Sequence, residues 1–157
     1  MRTATADPAD LEALTDFALR LAFETEDKTL DRDIVYKGVL DCIQNPKLGL
    51  YFLAWDEADP EKKMIGTTML TYEMNVALGG LIYWIQSVYV VKEARRKGCF
   101  RSLYNTVVDN AKADPLCKCV RLYVETENEK AMATYENLGM DKMTNLSYDE
   151  VDFEFSH

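Results

Sequence analysis

Apolar positions recur with two different periods along this chain. Leu11, Leu14, Phe17, Ala18 and Leu21 fall at helical spacing behind Asp7-Pro8-Ala9-Asp10, which combines an N-cap residue, a proline at the first helical position and an acid in the first turn. An amphipathic helix is therefore predicted to about Glu24. The polar stretch from Thr25 to Asp31 interrupts it, and Val35, Val39 and Cys42 mark a second helix from Asp31 or Asp33 to Gln44, closed by Pro46. From Leu50 the period shortens. Leu50 to Trp55 and Met64 to Met74 read as strands around the polar turn D-E-A-D-P-E-K-K. Gly79-Gly80 then turns the chain into a long, mostly buried run from Leu81 to Val91. These three runs predict an antiparallel meander.

Helical spacing returns with Leu103, Val107 and Ala111, joined by Tyr104 and Val108, and Asp114-Pro115 stops it. Cys119 to Val124 reads as another strand. Thr126-Glu127-Asn128-Glu129 has the capping-box form, with Asn128 as the alternative cap, and Ala131, Met132, Tyr135 and Leu138 predict a fourth helix ended by Gly139. The aromatic run Tyr148 to Phe155 reads as a C-terminal strand. No repeat, low-complexity segment or linker interrupts this order, so residues 1–157 are expected to form a single domain.

Composition narrows the chemistry. Of 157 residues, 48% are hydrophobic, enough for one core, yet no apolar run approaches the ~20 residues that span a bilayer, and the N-terminus lacks the apolar centre of a secretion signal. A soluble, cytoplasmic protein is expected. Cys42, Cys99, Cys117 and Cys119 show neither zinc spacing nor a disulfide framework, which leaves reduced thiols. The single histidine, His157, is the last residue, so a Ser-His-Asp triad, a Cys-His pair or a multi-histidine metal site lacks its base or ligands, and no metal is expected. Neither G-x-x-x-x-G-K-[ST] nor G-x-G-x-x-G occurs.

The net charge of −9 argues against nucleic acid and against an anionic membrane surface as partners. Its distribution is more informative than its sum. Lys92 to Arg101 holds five bases and one acid, a local +4, so the remaining thirteen bases and twenty-six acids carry −13. A buried strand ending V-Y-V-V runs into K-E-A-R-R-K-G-C-F-R and then a helix. That arrangement is an anion site: unpaired N–H groups at a helix N-terminus, a glycine permitting close approach, and four or five cations around it.

At these residues the chain resembles the GNAT superfamily of N-acetyltransferases. Arg95-Arg96-Lys97-Gly98-Cys99-Phe100 is similar to that family's Q/R-x-x-G-x-G/A loop, Val90 to Arg95 to its V-x-P-e-y-R stretch, and Asn128, Ala131, Tyr135, Gly139 and Met140 to its N-x-x-A-x-x-x-Y-x-x-x-G-[FM] pattern. The resemblance implies an α/β fold with a central, mixed but mostly antiparallel sheet of about six to seven strands flanked by about four helices. It implies acetyl-CoA as co-substrate and a small amine as acceptor, and it allows a homodimer. Val88, Tyr89 and Val90 are then expected to offer main-chain groups to the amide-bearing arm of CoA. Arg95, Arg96, Lys97, Gly98, Cys99, Phe100 and Arg101 are expected to hold the pyrophosphate. Asn128 would reach the cofactor arm. Phe100 departs from the pattern by replacing the second small residue, which is expected to crowd one side of the cradle.

Tyr135 stands where the family places a general acid for the departing thiolate. With no usable histidine, the amine proton falls to a carboxylate directly or through water. The candidates are Glu24 and Glu26 between the first two helices, Glu73 at a strand end and Glu125 at the end of the strand that begins at Cys119, with Glu73 and Glu125 preferred because strand ends line the family's acceptor cleft. The cationic neighbours of Cys99 are expected to lower its pKa, although a covalent role does not fit a family that transfers acyl groups directly. Asp114 and Lys118 read as plain surface. The −13 body suits a cationic acceptor. The alternative is a non-catalytic acyl-CoA-binding or sensing module on the same fold.

Overall fold

The first strand is one the hydrophobic pattern did not reveal. Arg2–Thr5 forms β1, half-buried at its centre, and pairs antiparallel with Leu50–Trp55 (β2) from Arg2 opposite Trp55 to Thr5 opposite Phe52. Four residues without a large apolar side chain carry little periodic signal, so the neighbouring strand dictates their conformation. The computed structural model describes residues 1–61 and 63–144.

Asp7 caps the next segment as expected. Its Oδ1 accepts from the Ala9 N–H and Asp10 Oδ2 reaches back to the Asp7 N–H, closing a capping box over a single 3-10 turn at residues 8–10 before α1, Leu11–Glu26. Glu24 and Glu26 thus lie in the last turn of α1 rather than between two helices. Arg32–Gln44 forms α2, capped by Asp31. Met64–Asn75 (β3) and Gly80–Val90 (β4) complete the expected meander, Cys99–Ala113 is α3, and Cys117–Leu122 (β5) lies parallel beside β4. The sheet order is β1-β2-β3-β4-β5, with only the last pair parallel. Five strands are present among the described residues, fewer than the six to seven expected, and the predicted strand Tyr148 to Phe155 lies outside them.

β5 begins two residues earlier than its apolar content suggested and ends two earlier. Gly80 is the reason for the early start: a Cβ there would sit 2.3 Å from the Leu116 carbonyl, the same carbonyl that accepts from the Leu81 N–H at 2.8 Å. Asp114, expected as plain surface, is instead an anchor for this junction. Its Oδ2 accepts from the Tyr83 hydroxyl at 2.7 Å and its Oδ1 from the Leu116 N–H at 2.8 Å, and the Tyr83 bond holds its carboxyl below the ordinary range.

Alternation along β2 separates two cores. Phe52 and Ala54 join Leu70, Tyr83 and Ile85 under Cys99, Leu103, Val107 and Ala111 of α3, while Leu53 points to the opposite face and meets Leu11, Leu14 and Val39 of α1 and α2. Helices therefore cover both faces of the sheet. The chain divides into two compact units at Tyr123/Val124. The second unit contains α4, Glu129–Asn137, and its cap is Asn128, whose Oδ1 accepts from the Ala131 N–H at 3.1 Å. Its end is a Schellman turn: Gly139 at φ 85° donates to the Glu136 carbonyl and Met140 to that of Tyr135. No helix among the described residues is long and apolar enough to cross a membrane.

Candidate functional site

The strand edge comes first, because β4 is longer than its partner β5. Pairing with β5 stops at Ile85 opposite Leu122, so residues 86–90 of β4 have a strand neighbour on one side only among the described residues. On that paired side Met69 faces Ser87 and Leu70 faces Ile85, which leaves Gln86 as a bulge. The Val91 N–H donates to the Ile65 carbonyl at 2.9 Å. Antiparallel alternation from that pair aims the main-chain groups of Tyr89 into β3 and those of Val88 and Val90 toward the open side. The edge positions are thus Val88 and Val90, and what Tyr89 contributes is its side chain.

Beyond this edge the chain makes a 3-10 turn at residues 92–94, passes through Arg96 at φ 61°, and enters α3 at Gly98, φ 85°. Gly98 has nothing within 4 Å of where a Cβ would stand, and no side chain caps the helix. The first-turn N–H groups of α3 have no acceptor within the helix, and the space beside Gly98 is open. Lys92, Arg96, Lys97 and Arg101, which flank the start of α3 in sequence, are exposed and enter no ion pair among the described residues. The positive charge here and the open space at Gly98 suit an anion. Gly98→Ala is expected to cost about 1–2 kcal/mol of stability through backbone strain alone, and to weaken acetyl-CoA binding, as chemical denaturation and calorimetric titration would read.

Cys99 takes no part with its thiol. It is 1% exposed, and a Cβ on Gly66 of β3 would come 2.8 Å from its Sγ, so the side chain fills the gap between α3 and β3. Burial pushes the thiol up to about 11, the reverse of the lowering expected from its cationic neighbours. Those neighbours project into solvent, whereas Cys99 belongs to the buried stripe of Leu103, Val107 and Ala111. Phe100 is half-buried, with its ring 6.1 Å from that of Tyr104 one turn along α3.

Arg95 differs from the other island cations. Its Nε donates to the Val90 carbonyl at 2.8 Å, its Nη2 to Glu24 Oε2, and its guanidinium lies 5.9 Å from the centre of the Tyr89 ring. Glu24 Oε1 accepts from the Tyr89 hydroxyl at 3.0 Å. The Arg95 bond holds the Glu24 carboxyl below the ordinary carboxylate range, and burial raises the Tyr89 hydroxyl. Reading the sequence did not find this tie. The signal was available, since Glu24 falls seven residues after buried Phe17 on the stripe of α1, where a charge needs a partner.

Glu73 is exposed and accepts from Trp84 Nε1 at 2.6 Å. The Trp84 ring stacks on Tyr123 at 4.5 Å, with Arg121 5.9 Å from its centre, and Gln86 donates to Thr71 at 2.8 Å. Glu73 lies opposite Ile82, six residues along β4 from Val88, or about 20 Å at the rise of a strand. In the second unit, Glu125 is exposed in the turn before α4, Asn128 spends its Oδ1 on the cap, and Tyr135 is half-buried, which raises its hydroxyl above the ordinary pKa. Among the described residues no group of three or more His, Cys, Asp or Glu side chains could hold a metal ion.

No curated protein matches the chain in sequence. Among solved structures, a possible acetyltransferase from Clostridium difficile 630 is 37% identical, covering 99% of this chain and 98% of its own, with a TM-score of 0.82. Two others share the fold at low identity. An aminoglycoside N-acetyltransferase, AAC(6')-Iy, in complex with CoA is 13% identical over 97% of this chain and 95% of its own, TM-score 0.79. A ribosomal-protein-alanine N-acetyltransferase from Brucella melitensis biovar Abortus 2308 is 14% identical over 98% and 100%, TM-score 0.73. A family model for the acetyltransferase (GNAT) family matches residues 11–140, a span that takes in the open strand edge, the basic loop and α3 behind it. By that match the chain belongs to the acetyltransferase (GNAT) family and is an N-acetyltransferase.

Proposed function

We propose that the protein moves the acetyl group of acetyl-CoA to the primary amine of a small cationic acceptor by direct attack within a ternary complex. The observation that carries this reading is the continuity of the open β4 edge with the loop at Gly98, where a helix start with no side-chain cap and four exposed cations, none in an ion pair among the described residues, suit a pyrophosphate. Acetyl-CoA supplies the activated acyl group. Val88 and Val90 hold the amide-bearing arm through main-chain groups, in the manner of an added strand, and Arg96 to Arg101 hold the pyrophosphate. The two compact units act as one transferase domain on this reading, supported by a family match that crosses from one into the other. A cytoplasmic location belongs to the same reading and is supported by four free thiols.

Tyr135 is assigned as the acid that protonates the departing thiolate. Burial keeps its hydroxyl protonated above the ordinary tyrosine range, so this acid remains loaded throughout neutral and mildly alkaline pH. The acceptor amine gives up its proton through water to a carboxylate, Glu73 or Glu125. Glu73 lies about 20 Å from Val88 along the sheet, which supports transfer through water rather than direct contact at that edge. The surrounding charge of −13 favours a cation as acceptor.

Initial rates with both substrates varied test the reading. Direct attack predicts intersecting double-reciprocal lines, and the KM for the amine should rise with ionic strength as the acidic field is screened. Parallel lines would mean an acyl-enzyme and overturn direct transfer. A salt-independent KM would remove the acidic body from acceptor recognition.

A further inference from the structure

The five cations of the basic loop are not equivalent. Lys92, Arg96, Lys97 and Arg101 face solvent and make no ion pair among the described residues, although Lys92 adds charge stabilisation to Glu24. Arg95, by contrast, is engaged by three groups: the Val90 carbonyl on Nε, Glu24 on Nη2 and the Tyr89 ring against its guanidinium. Glu24 in turn uses both oxygens, one for Arg95 and one for the Tyr89 hydroxyl. It is 21% exposed at the side chain and Arg95 44%. Behind them the Tyr89 ring is buried and packs on Phe17 of α1 at 4.9 Å. The contacts therefore run without a break from the core of α1, through Tyr89 and Glu24, to Arg95, and close the start of the loop onto the last residue of β4.

We infer that Glu24 is a positioning residue for the donor loop, gripping Tyr89 and Arg95 together so that Arg95 fastens the loop to β4 and leaves the pyrophosphate to its neighbours. This rests on the acetyl-CoA reading above. The geometry makes opposing predictions possible. A carboxylate beside an anion site repels the anion, so electrostatics alone predicts that removing Glu24 tightens acetyl-CoA binding. If Glu24 positions the loop, removing it weakens binding instead, because Arg95 is released and the following residues lose their fixed start.

The test is the dissociation constant of acetyl-CoA, by calorimetry, for the wild type, Glu24→Ala, Glu24→Gln, Arg95→Ala and the Glu24→Ala/Arg95→Ala pair. S-acetylpantetheine, a thioester without the pyrophosphate, serves as second probe. Glu24→Ala is expected to weaken acetyl-CoA by roughly tenfold, the scale of one lost charge-assisted contact. Glu24→Gln, which keeps an oxygen acceptor, should recover part of the loss. The double variant should bind no more weakly than Arg95→Ala, because the two act as one unit, and S-acetylpantetheine should be unaffected. Equal or tighter acetyl-CoA binding by Glu24→Ala, additive losses in the double variant, or parallel losses for both probes would each overturn the inference. A wild type that binds no acetyl-CoA would overturn the functional reading with it.

Discussion

Replacing Tyr135 with phenylalanine is expected to lower kcat by about 10²-fold or more, the usual contribution of a general acid, while the dissociation constant of acetyl-CoA stays near that of the wild type. The ring is retained, so packing around the half-buried side chain of α4 changes little, and what is lost is the hydroxyl and the proton it carries. Because burial raises that hydroxyl, an alkaline fall in kcat caused by its ionisation lies above the ordinary tyrosine pKa of 10. The phenylalanine variant should lose this fall. Stopped-flow thiol detection gives kcat and calorimetry gives binding. An unchanged kcat would remove Tyr135 from the chemistry. A loss confined to binding would make it a contact for the donor instead.

The second large effect is expected at a position that carries no functional group. Gly66→Ala places a Cβ 2.8 Å from Cys99 Sγ and 3.1 Å from the Tyr89 carbonyl, with the Leu103 side chain at 3.4 Å. Overpacking of this kind typically costs about 1–3 kcal/mol. Here it also pushes at the first residue of α3, so acetyl-CoA affinity should fall along with stability. Cys99→Ala in the same chain removes the sulfur and should restore much of both, which unfolding curves and titration of the two variants would show. If the double variant is worse than Gly66→Ala alone, the close approach of β3 to α3 does not set the loop.

These predictions rest on features of unequal visibility in the sequence. The limits of α2, β2, β3 and β4 follow closely from apolar spacing, and the basic loop stands out because its charge opposes that of the whole chain. Burial of Cys99 was encoded in the same way, four residues before Leu103 on one helical stripe, but its charged sequence neighbours point elsewhere and misdirected the expectation for its thiol. β1 is hidden because a four-residue edge strand borrows its structure from β2. The Glu24 to Arg95 tie spans 71 residues, and nothing local to either residue names the other. The role of Asp114 is hidden for a similar reason: its partner Tyr83 is 31 residues away, and alone it has the look of a helix-ending acid. Long-range polar contacts are what periodicity leaves out, and in this protein they connect the binding loop to the core.

The central claim is that this chain couples an acetyl-CoA site to transfer onto an amine, and thiol release across a panel of amines, with acetyl-CoA binding titrated in parallel, tests it most directly. Binding of acetyl-CoA accompanied by thiol release that depends on the amine and saturates with the best cationic acceptor is the predicted result. Binding of acetyl-CoA with no amine-dependent release from any member of the panel would contradict it and leave a sensing module on the same fold.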